Sequence, residues 1–172
     1  MRLTAPLLIV VLAGCGGSGG SEPSSPIGAV TNGSFENPAL AAGENGDRAP
    51  GWTLTGETFF VSDQGERPAF DGRQYAVLSS PADGMSTLSP ILPAATVFRR
   101  LSFRVARPEV SVGALVQVFA GERVIATAVP VEGNSWIEVE TTPFAPGESV
   151  QFVVRPSRTP GAALIDRVQM LP

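Results

Sequence analysis

The stretch ALVQVFAGERVIATAVPV, residues 114–131, contains two apolar runs separated by Ala120-Gly121-Glu122. Both runs are rich in residues that pack well on a pleated surface, and glycine tolerates the positive φ that tight turns require. The stretch therefore predicts a β-hairpin with strands at Ala114–Phe119 and Arg123–Val131.

The remainder of the chain follows the same pattern. Its 19 glycines and 16 prolines separate short runs of Val, Phe, Ile and Thr, without a convincing apolar period of 3.6 residues. Besides the hairpin, the predicted strands are Val30–Glu36, Trp52–Thr55, Glu57–Ser62, Gln74–Ser79, Ser86–Leu92, Phe98–Ala106, Ser135–Thr141, Ser149–Arg155 and Ala163–Met170. Residues 37–51 are predicted to form a long surface loop. Short strands with turn signals between them predict an all-β, two-sheet sandwich, closed by Greek-key connections as a jelly roll.

The N-terminal segment has the parts of a secretory leader. Arg2 precedes a short apolar run, Leu7–Leu12, and small residues precede Cys15, the only cysteine in the chain. This arrangement resembles a bacterial lipoprotein signal, which implies cleavage before Cys15 and lipidation of that residue. The alternative is an ordinary signal peptide with a chance cysteine.

This resemblance gives the expected organisation of the chain. Residues 1–14 are the signal peptide, 15–29 are the lipidated cysteine and a flexible Gly/Ser/Pro tether, and 30–172 are one domain of typical size. Gly16, rather than aspartate, after the cysteine favours the outer membrane by resemblance to envelope sorting patterns. The side of that membrane on which the domain lies stays open.

Composition excludes several functions. The chain has no histidine, its one cysteine is assigned to lipid, and no lysine or basic run accompanies its net charge of −4. The commonest general base and transition-metal ligand are therefore missing, and nothing indicates a nucleic-acid partner. We expect a protein that is not an enzyme.

Four segments stand in a characteristic order along the domain. They are Asn32-Gly33-Ser34-Phe35-Glu36, Pro50-Gly51-Trp52, Gly72-Arg73-Gln74-Tyr75-Ala76-Val77-Leu78 and Leu164-Ile165-Asp166-Arg167-Val168. Together they resemble galactose-binding-like jelly rolls, especially the carbohydrate-binding modules of xylan- and glucan-degrading enzymes. The resemblance covers nearly the whole domain. It implies a jelly-roll β-sandwich, with glycan binding as one of the functions that this fold supports.

The resemblance also implies a structural calcium ion. Its ligands would be Glu36 and Asp166, with loop carbonyl groups near Asn32 or Asn45 completing the oxygen shell that calcium requires. Arg167 departs from the pattern, because many relatives carry a second acid there. The alternative is that Glu36 is exposed and that Asp166 pairs with an arginine.

Aromatic residues are the first candidates for ligand contact, because an aromatic face matches the apolar face of a pyranose ring. Trp52 and Trp136 are such candidates, although both match positions that the family uses for packing. Phe59 and Phe60 cannot both face the core of a regular strand, so one ring is expected to point outward. Tyr75 is expected to pack its ring and to keep its hydroxyl at the surface.

Strand alternation supplies polar candidates. If Leu101, Phe103 and Val105 face the core, Arg104 lies on the outer surface, and the same rule turns Gln117 and Arg155 outward. These three side chains could donate hydrogen bonds to sugar hydroxyls or to an acidic sugar. The alternative is a solvated face that only keeps the sheet soluble.

The sequence as a whole predicts a lipid-anchored, non-catalytic carbohydrate-binding module of the cell envelope. Its partner would be a polysaccharide or another glycan, and its only membrane contact the lipid anchor. The alternative is a structural or protein-interaction lipoprotein that uses the sandwich to dock an envelope protein.

Overall fold

The computed structural model describes residues 29–62, 68–109, 112–130, 135–156 and 158–171. These residues form twelve β-strands and no helix, so the predicted all-β class is confirmed. The predicted leader, Cys15 and nearly all of the tether lie outside the described residues. Within the described ranges, no helix is long and apolar enough to cross a membrane. The strands are β1 (Asn45–Gly46), β2 (Trp52–Thr55), β3 (Thr58–Ser62), β4 (Gln74–Ser79), β5 (Ser86–Pro90), β6 (Arg100–Ala106), β7 (Val112–Gly113), β8 (Val116–Ala120), β9 (Arg123–Ala128), β10 (Ile137–Glu140), β11 (Val150–Val154) and β12 (Gly161–Leu171).

The strands form two sheets. One has seven strands in the order β1-β3-β4-β12-β6-β10, with β7 beside β12, and the other has five in the order β2-β5-β11-β8-β9. Every pair is antiparallel except β7 with β12. Because β12 lies between β4 and β6, the last strand occupies the middle of the larger sheet. This is the predicted jelly-roll sandwich.

The core lies between the two sheets and follows the predicted alternation. Leu101, Phe103 and Val105 of β6 are completely buried, and so is Phe152 of β11. The rings of Phe103 and Phe152 meet edge to face, with centroids 4.9 Å apart. Such contacts join the inner faces of the two sheets, because side chains of opposing sheets interdigitate.

The hairpin predicted around Gly121 is confirmed. Strand β8 ends at Ala120 and β9 begins at Arg123, which is the residue paired with Ala120. Gly121 has φ +56°, the left-handed conformation that favours glycine. Both strands are shorter at their far ends than the sequence predicted.

The strand predicted at Val30–Glu36 is wrong, because this segment forms a turn. Asn32 and Phe35 have φ values of +53° and +61°, which no regular strand contains, and the Phe35 N–H donates to the Asn32 carbonyl at 3.0 Å. Val30 and Phe35 are nevertheless buried. Their apolar side chains mimic the signal of a strand while packing from a turn.

The long loop predicted at 37–51 also needs correction. It contains the short strand β1, in which Asn45 pairs with Val61 of β3. Strand β7, which lies parallel to the first residues of β12, was also not predicted from the sequence. Two-residue strands such as these are defined by their partners and carry too few residues for an alternating pattern.

Candidate functional site

The three polar side chains predicted to bind a glycan together, Arg104, Gln117 and Arg155, lie on two different sheets. Arg104 is on β6 of the seven-stranded sheet. Gln117 is on β8 of the five-stranded sheet, and Arg155 directly follows β11 of that same sheet. The predicted grouping of all three is therefore wrong. Alternation assigned each side chain to the outside correctly, but it could not tell which sheet each strand would join.

Trp52 is a core residue, so its prediction as a ligand contact is also wrong. Its side chain is 7% exposed and packs against Phe35 and Phe152, with ring centroids 4.9 and 6.5 Å away. The indole Nε1–H donates to the Asn32 carbonyl at 3.0 Å, which satisfies its polar group within the fold. No face of this ring is left to receive a sugar.

The outer face of the seven-stranded sheet carries a second apolar cluster. Tyr75, Val77, Ala106, Ala162 and Leu164 are buried there, and Phe59 is partly buried against them. Paired residues on neighbouring strands lie on the same face, so Phe59 opposite Val77, and Val77 opposite Leu164, define one continuous row. Phe60 points to the core instead and is 2% exposed. The expectation that one ring of the Phe59–Phe60 pair turns outward is confirmed.

Three aromatic rings meet at one end of this row. Trp136 packs edge to face against Tyr75 and Phe70, with centroid distances of 5.9 and 6.5 Å. The Trp136 Nε1–H donates to the Pro68 carbonyl at 3.1 Å, which fixes the orientation of the indole. Trp136 and Phe70 remain partly exposed, while Tyr75 is buried. A partly exposed, fixed aromatic surface results.

Arg104 joins this aromatic group through its guanidinium. Its carbon lies 4.3 Å from the centroid of the Phe70 ring, and Arg167 approaches the same ring at 5.4 Å. Arg104 Nη2 also pairs with Glu138 Oε2 at 2.9 Å, and Ser102 Oγ donates to the other oxygen of Glu138. We call the surface formed by Phe70, Tyr75, Trp136, Arg104 and Glu138 the aromatic–arginine face.

Two carboxylates hold the segment that brings Phe70 to this face. Asp166 Oδ2 accepts the Phe70 and Asp71 N–H groups at 2.7 and 2.9 Å. Glu36 Oε1 accepts the Arg73 and Gln74 N–H groups, both at 2.7 Å. The two predicted calcium ligands therefore share a task in this structure, which is to fix residues 70–74.

Gly72 lies in the middle of the held segment. Its φ is +74°, and a Cβ at this position would collide with Glu36 Oε1. The close approach of backbone and carboxylate therefore requires glycine. This explains why glycine precedes the strand in the Gly72–Leu78 motif that carried part of the resemblance.

Asp166 is completely buried, because the Phe70–Asp71 segment lies over it. Burial raises the pKa of its carboxyl to about 7, although backbone hydrogen bonds from Asp71, Arg167 and Phe70 act in the opposite direction. Asp166 Oδ1 accepts the Arg167 N–H at 2.6 Å. The predicted alternative, an ion pair between Asp166 and an arginine, does not describe these contacts, since backbone N–H groups provide them.

The predicted calcium donors do not form an ion cage as placed. Glu36 and Asp166 direct oxygens at N–H groups, and Asn32 Oδ1 accepts the Asn37 N–H at 3.0 Å. Among the residues that the structure describes, no group of three or more His, Cys, Asp or Glu side chains could hold a metal. Carbonyl oxygens would have to supply most of the six to eight ligands. The calcium site stays a prediction.

Gln117 and Arg155 meet on the opposite sheet. Arg155 Nε donates to Gln117 Oε1 at 3.1 Å, and its guanidinium lies 5.9 Å from the centroid of the half-buried Phe119. Both line an open cleft of about 330 Å³ that also includes Leu115. This surface has one aromatic ring, whereas the aromatic–arginine face has three.

Phe70 was missed by sequence reasoning, and Trp136 was considered without being distinguished from Trp52. Phe70 lies in a loop without periodicity, so no pattern marked it. The useful signal for Trp136 was its place immediately before β10, beside the Arg104–Val105 end of β6. That signal becomes readable only once β10 is known to pair with β6.

The two largely antiparallel sheets and their strand order define a jelly-roll β-sandwich domain. No protein-family model and no curated protein matches the chain. Among solved structures, the chain is similar to the Stig cyclase Fisc from Fischerella sp. TAU, with a TM-score of 0.61, 16% identity and coverage of 82% of this chain and 94% of that one.

Two further structures have the same architecture. The K2 cleaved adhesin domain of Lys-gingipain has a TM-score of 0.60 and 15% identity, covering 81% of this chain and 96% of its own. The carbohydrate-binding module TmCBM61, in complex with β-1,4-galactotriose, has a TM-score of 0.53 and 16% identity, covering 83% and 96%. Identities this low show a shared fold, and the fold hosts catalytic and non-catalytic proteins.

Proposed function

We propose that this chain is a carbohydrate-binding domain and that the glycan lies on the aromatic–arginine face. The observation that carries the proposal is the meeting of Trp136, Phe70 and Arg104 at the surface of one sheet. A partly exposed aromatic ring offers an apolar surface to a pyranose, and the Arg104–Glu138 pair offers a donor and an acceptor to its hydroxyls. Sugar recognition requires this combination of apolar surface and fixed polar groups.

The domain acts in this proposal without catalysis. The face has one acid, Glu138, and the nearby Asp166 lies beneath it, whereas glycoside hydrolysis needs a pair of reactive carboxyls across the bond. Asp166 cannot serve, because it is completely buried and its oxygens accept three backbone N–H groups. With no histidine in the chain, the commonest general base for other reactions is also missing.

The proposed location is the cell envelope, with the domain anchored through lipid at Cys15. The leader-like start of the chain and its solitary cysteine support this location, and Gly16 supports the outer membrane. A chain with its own anchor would capture or hold a glycan near the envelope.

Affinity electrophoresis tests the glycan proposal. The chain without its leader, with Cys15→Ser to prevent lipidation, is run through gels containing plant, algal or bacterial polysaccharides, including peptidoglycan. Both calcium and chelator conditions are used. We expect retardation by one class of polysaccharide, since the fixed aromatic face is present before the ligand arrives.

Variants then locate the site. Trp136→Ala is expected to weaken retardation by about thirtyfold in apparent affinity, the loss typical of an aromatic hot spot, and Arg104→Ala to weaken it as well. Arg155→Ala, an arginine also placed beside an aromatic ring but on the other sheet, is the matched control. Loss of binding in Arg155→Ala alone would move the site to the five-stranded sheet. No retardation by any polysaccharide would favour the docking of an envelope protein.

A further inference from the structure

The segment between β5 and β6 exposes several large apolar side chains. Residues 91–98 read ILPAATVF and contain no charged side chain. Ile91, Val97 and Phe98 are 62%, 58% and 63% exposed. Leaving three large apolar side chains mostly in water is unfavourable, and adjoining ones of this kind mark interaction sites. We call residues 91–98 the apolar loop.

The apolar loop is held in place by the fold. At its start, the Ile91 N–H donates to the Gly51 carbonyl at 2.7 Å. At its end, Arg99 exchanges two backbone hydrogen bonds with Phe144, and its guanidinium donates to the Pro93 carbonyl at 2.9 Å. Arg99 itself is buried. The exposed side chains therefore stand on an anchored base.

The apolar loop lies beside the point at which the tether enters the domain. Gly51, which binds the Ile91 N–H, touches Thr31 so closely that a Cβ on it would lie 2.7 Å from the Thr31 Cβ. Fifteen residues separate Cys15 from Thr31. A Gly/Ser-rich tether of this length spans about 20 Å on average. A lipid at Cys15 would thus keep this end of the sandwich near the bilayer surface.

We propose that the apolar loop inserts into the interfacial layer of the bilayer that holds the lipid anchor. The inference rests on the lipid anchoring proposed above. Tethering makes loop insertion nearly intramolecular, so a weak apolar contact is sufficient to orient the domain. Because the loop lies at the strand ends, insertion would stand the strands upright. The aromatic–arginine face would then look sideways along the membrane, open to a glycan chain.

A single fluorescent probe tests this orientation. Lipidation occupies Cys15, so Phe98→Cys introduces one free thiol for an environment-sensitive dye. The lipidated full chain is placed in vesicles of phosphatidylethanolamine and phosphatidylglycerol that contain spin-labelled quencher lipids. Met85→Cys is the matched control, because Met85 is also exposed, at 48%, but precedes β5, whereas the apolar loop follows it.

We expect the dye at residue 98 to shift to the blue and to be quenched by the labelled lipids, and the dye at residue 85 to remain in water. Equal exposure of both dyes to water in the anchored chain would overturn the inference. A blue shift at residue 98 that is already complete without vesicles would also overturn it, since a second copy of the chain would then cover the loop.

A second arm separates insertion from anchoring. The Cys15→Ser chain is floated with excess vesicles, and Phe98→Ser is expected to lower its partition about tenfold, as the loss of one buried aromatic contact requires. Met85→Ser is expected to leave partition unchanged. Mass spectrometry of Cys15 reports the anchor independently. If Cys15 is unmodified but partition depends on Phe98, the proposed lipid anchor is rejected and insertion of the apolar loop is retained. Equal partition of Phe98→Ser and Met85→Ser would reject insertion of the apolar loop.

Discussion

Removing the Glu36 carboxylate is expected to destabilise the domain through the segment that carries Phe70. Glu36 Oε1 accepts two N–H groups, from Arg73 and Gln74, at 2.7 Å each. A hydrogen bond to a charged group contributes about 1.5–3 kcal/mol, and water can replace part of it at the exposed Arg73. Glu36→Ala should therefore lower the free energy of unfolding by about 2–4 kcal/mol.

The assay is thermal unfolding, in excess calcium and in chelator. For a domain of this size, about 3 °C of Tm accompanies each kcal/mol, so Glu36→Ala should melt about 6–12 °C below wild type. Glu36→Gln keeps an acceptor oxygen and loses only the charge, so about half of that shift is expected. Glu122→Ala, an exposed glutamate beside Gly121, is the control and should melt like wild type.

The calcium comparison decides whether the reasoning is right. If Glu36 acts by accepting backbone N–H groups, the shift is the same with and without calcium. A shift that appears only in calcium would refute this account and would support the predicted calcium site. Amide hydrogen exchange gives a second readout, because Arg73 and Gln74 should lose protection in Glu36→Ala before the rest of β4.

Three further variants test the core, the buried acid and the assignment of the tryptophans. Phe152→Ala should cost about 3–5 kcal/mol in urea unfolding because its ring is completely buried, and a cost no greater than that of the half-buried Phe119→Ala would contradict the core assignment. The pKa of Asp166 is about 7 in the folded protein and 3.8 in the unfolded chain, so the protonated carboxyl favours the folded state by on the order of 4 kcal/mol. This contribution to the free energy of unfolding is complete below about pH 4 and is lost as the pH rises to about 7. Urea unfolding in chelator should show this decline in wild type and not in Asp166→Asn, and parallel profiles would refute it. Trp52→Phe should lower Tm without changing retardation by a polysaccharide whose retardation depends on Trp136, whereas lost retardation in a folded Trp52→Phe would return Trp52 to the proposed site.

Strands whose signal is local were predicted well, and features that depend on distant partners were not. Trp52–Thr55 and Gln74–Ser79 have the predicted bounds, because their own residue types and flanking turns define them. Val30–Glu36 has the composition of a strand, but positive φ at Asn32 and Phe35 turns the chain there. No sequence pattern predicts a phenylalanine in the left-handed backbone conformation, because that conformation is stabilised by the core packing around the residue.

The same division applies to the candidate site. Alternation correctly predicted that Arg104, Gln117 and Arg155 lie on the outer surface. It cannot predict which of the two sheets a strand joins. The sequence alone also could not show which of Trp52 and Trp136 is buried and which is partly exposed. Both tryptophans lie within a predicted strand, and only the packing of Phe35 and Phe152 against Trp52 shows which one is enclosed.

Asp166 explains why a guanidinium and an aromatic ring meet on this face. Strand register places Asp166 directly opposite Arg104, so an ion pair between them would be the simple outcome. Instead, the Phe70 and Asp71 N–H groups donate hydrogen bonds to the Asp166 carboxylate, and this segment covers it. Arg104 consequently pairs with Glu138 at the surface, and the covering segment brings the Phe70 ring within 4.3 Å of the guanidinium. The buried Asp166 carboxyl thus determines which side chains lie together on the aromatic–arginine face.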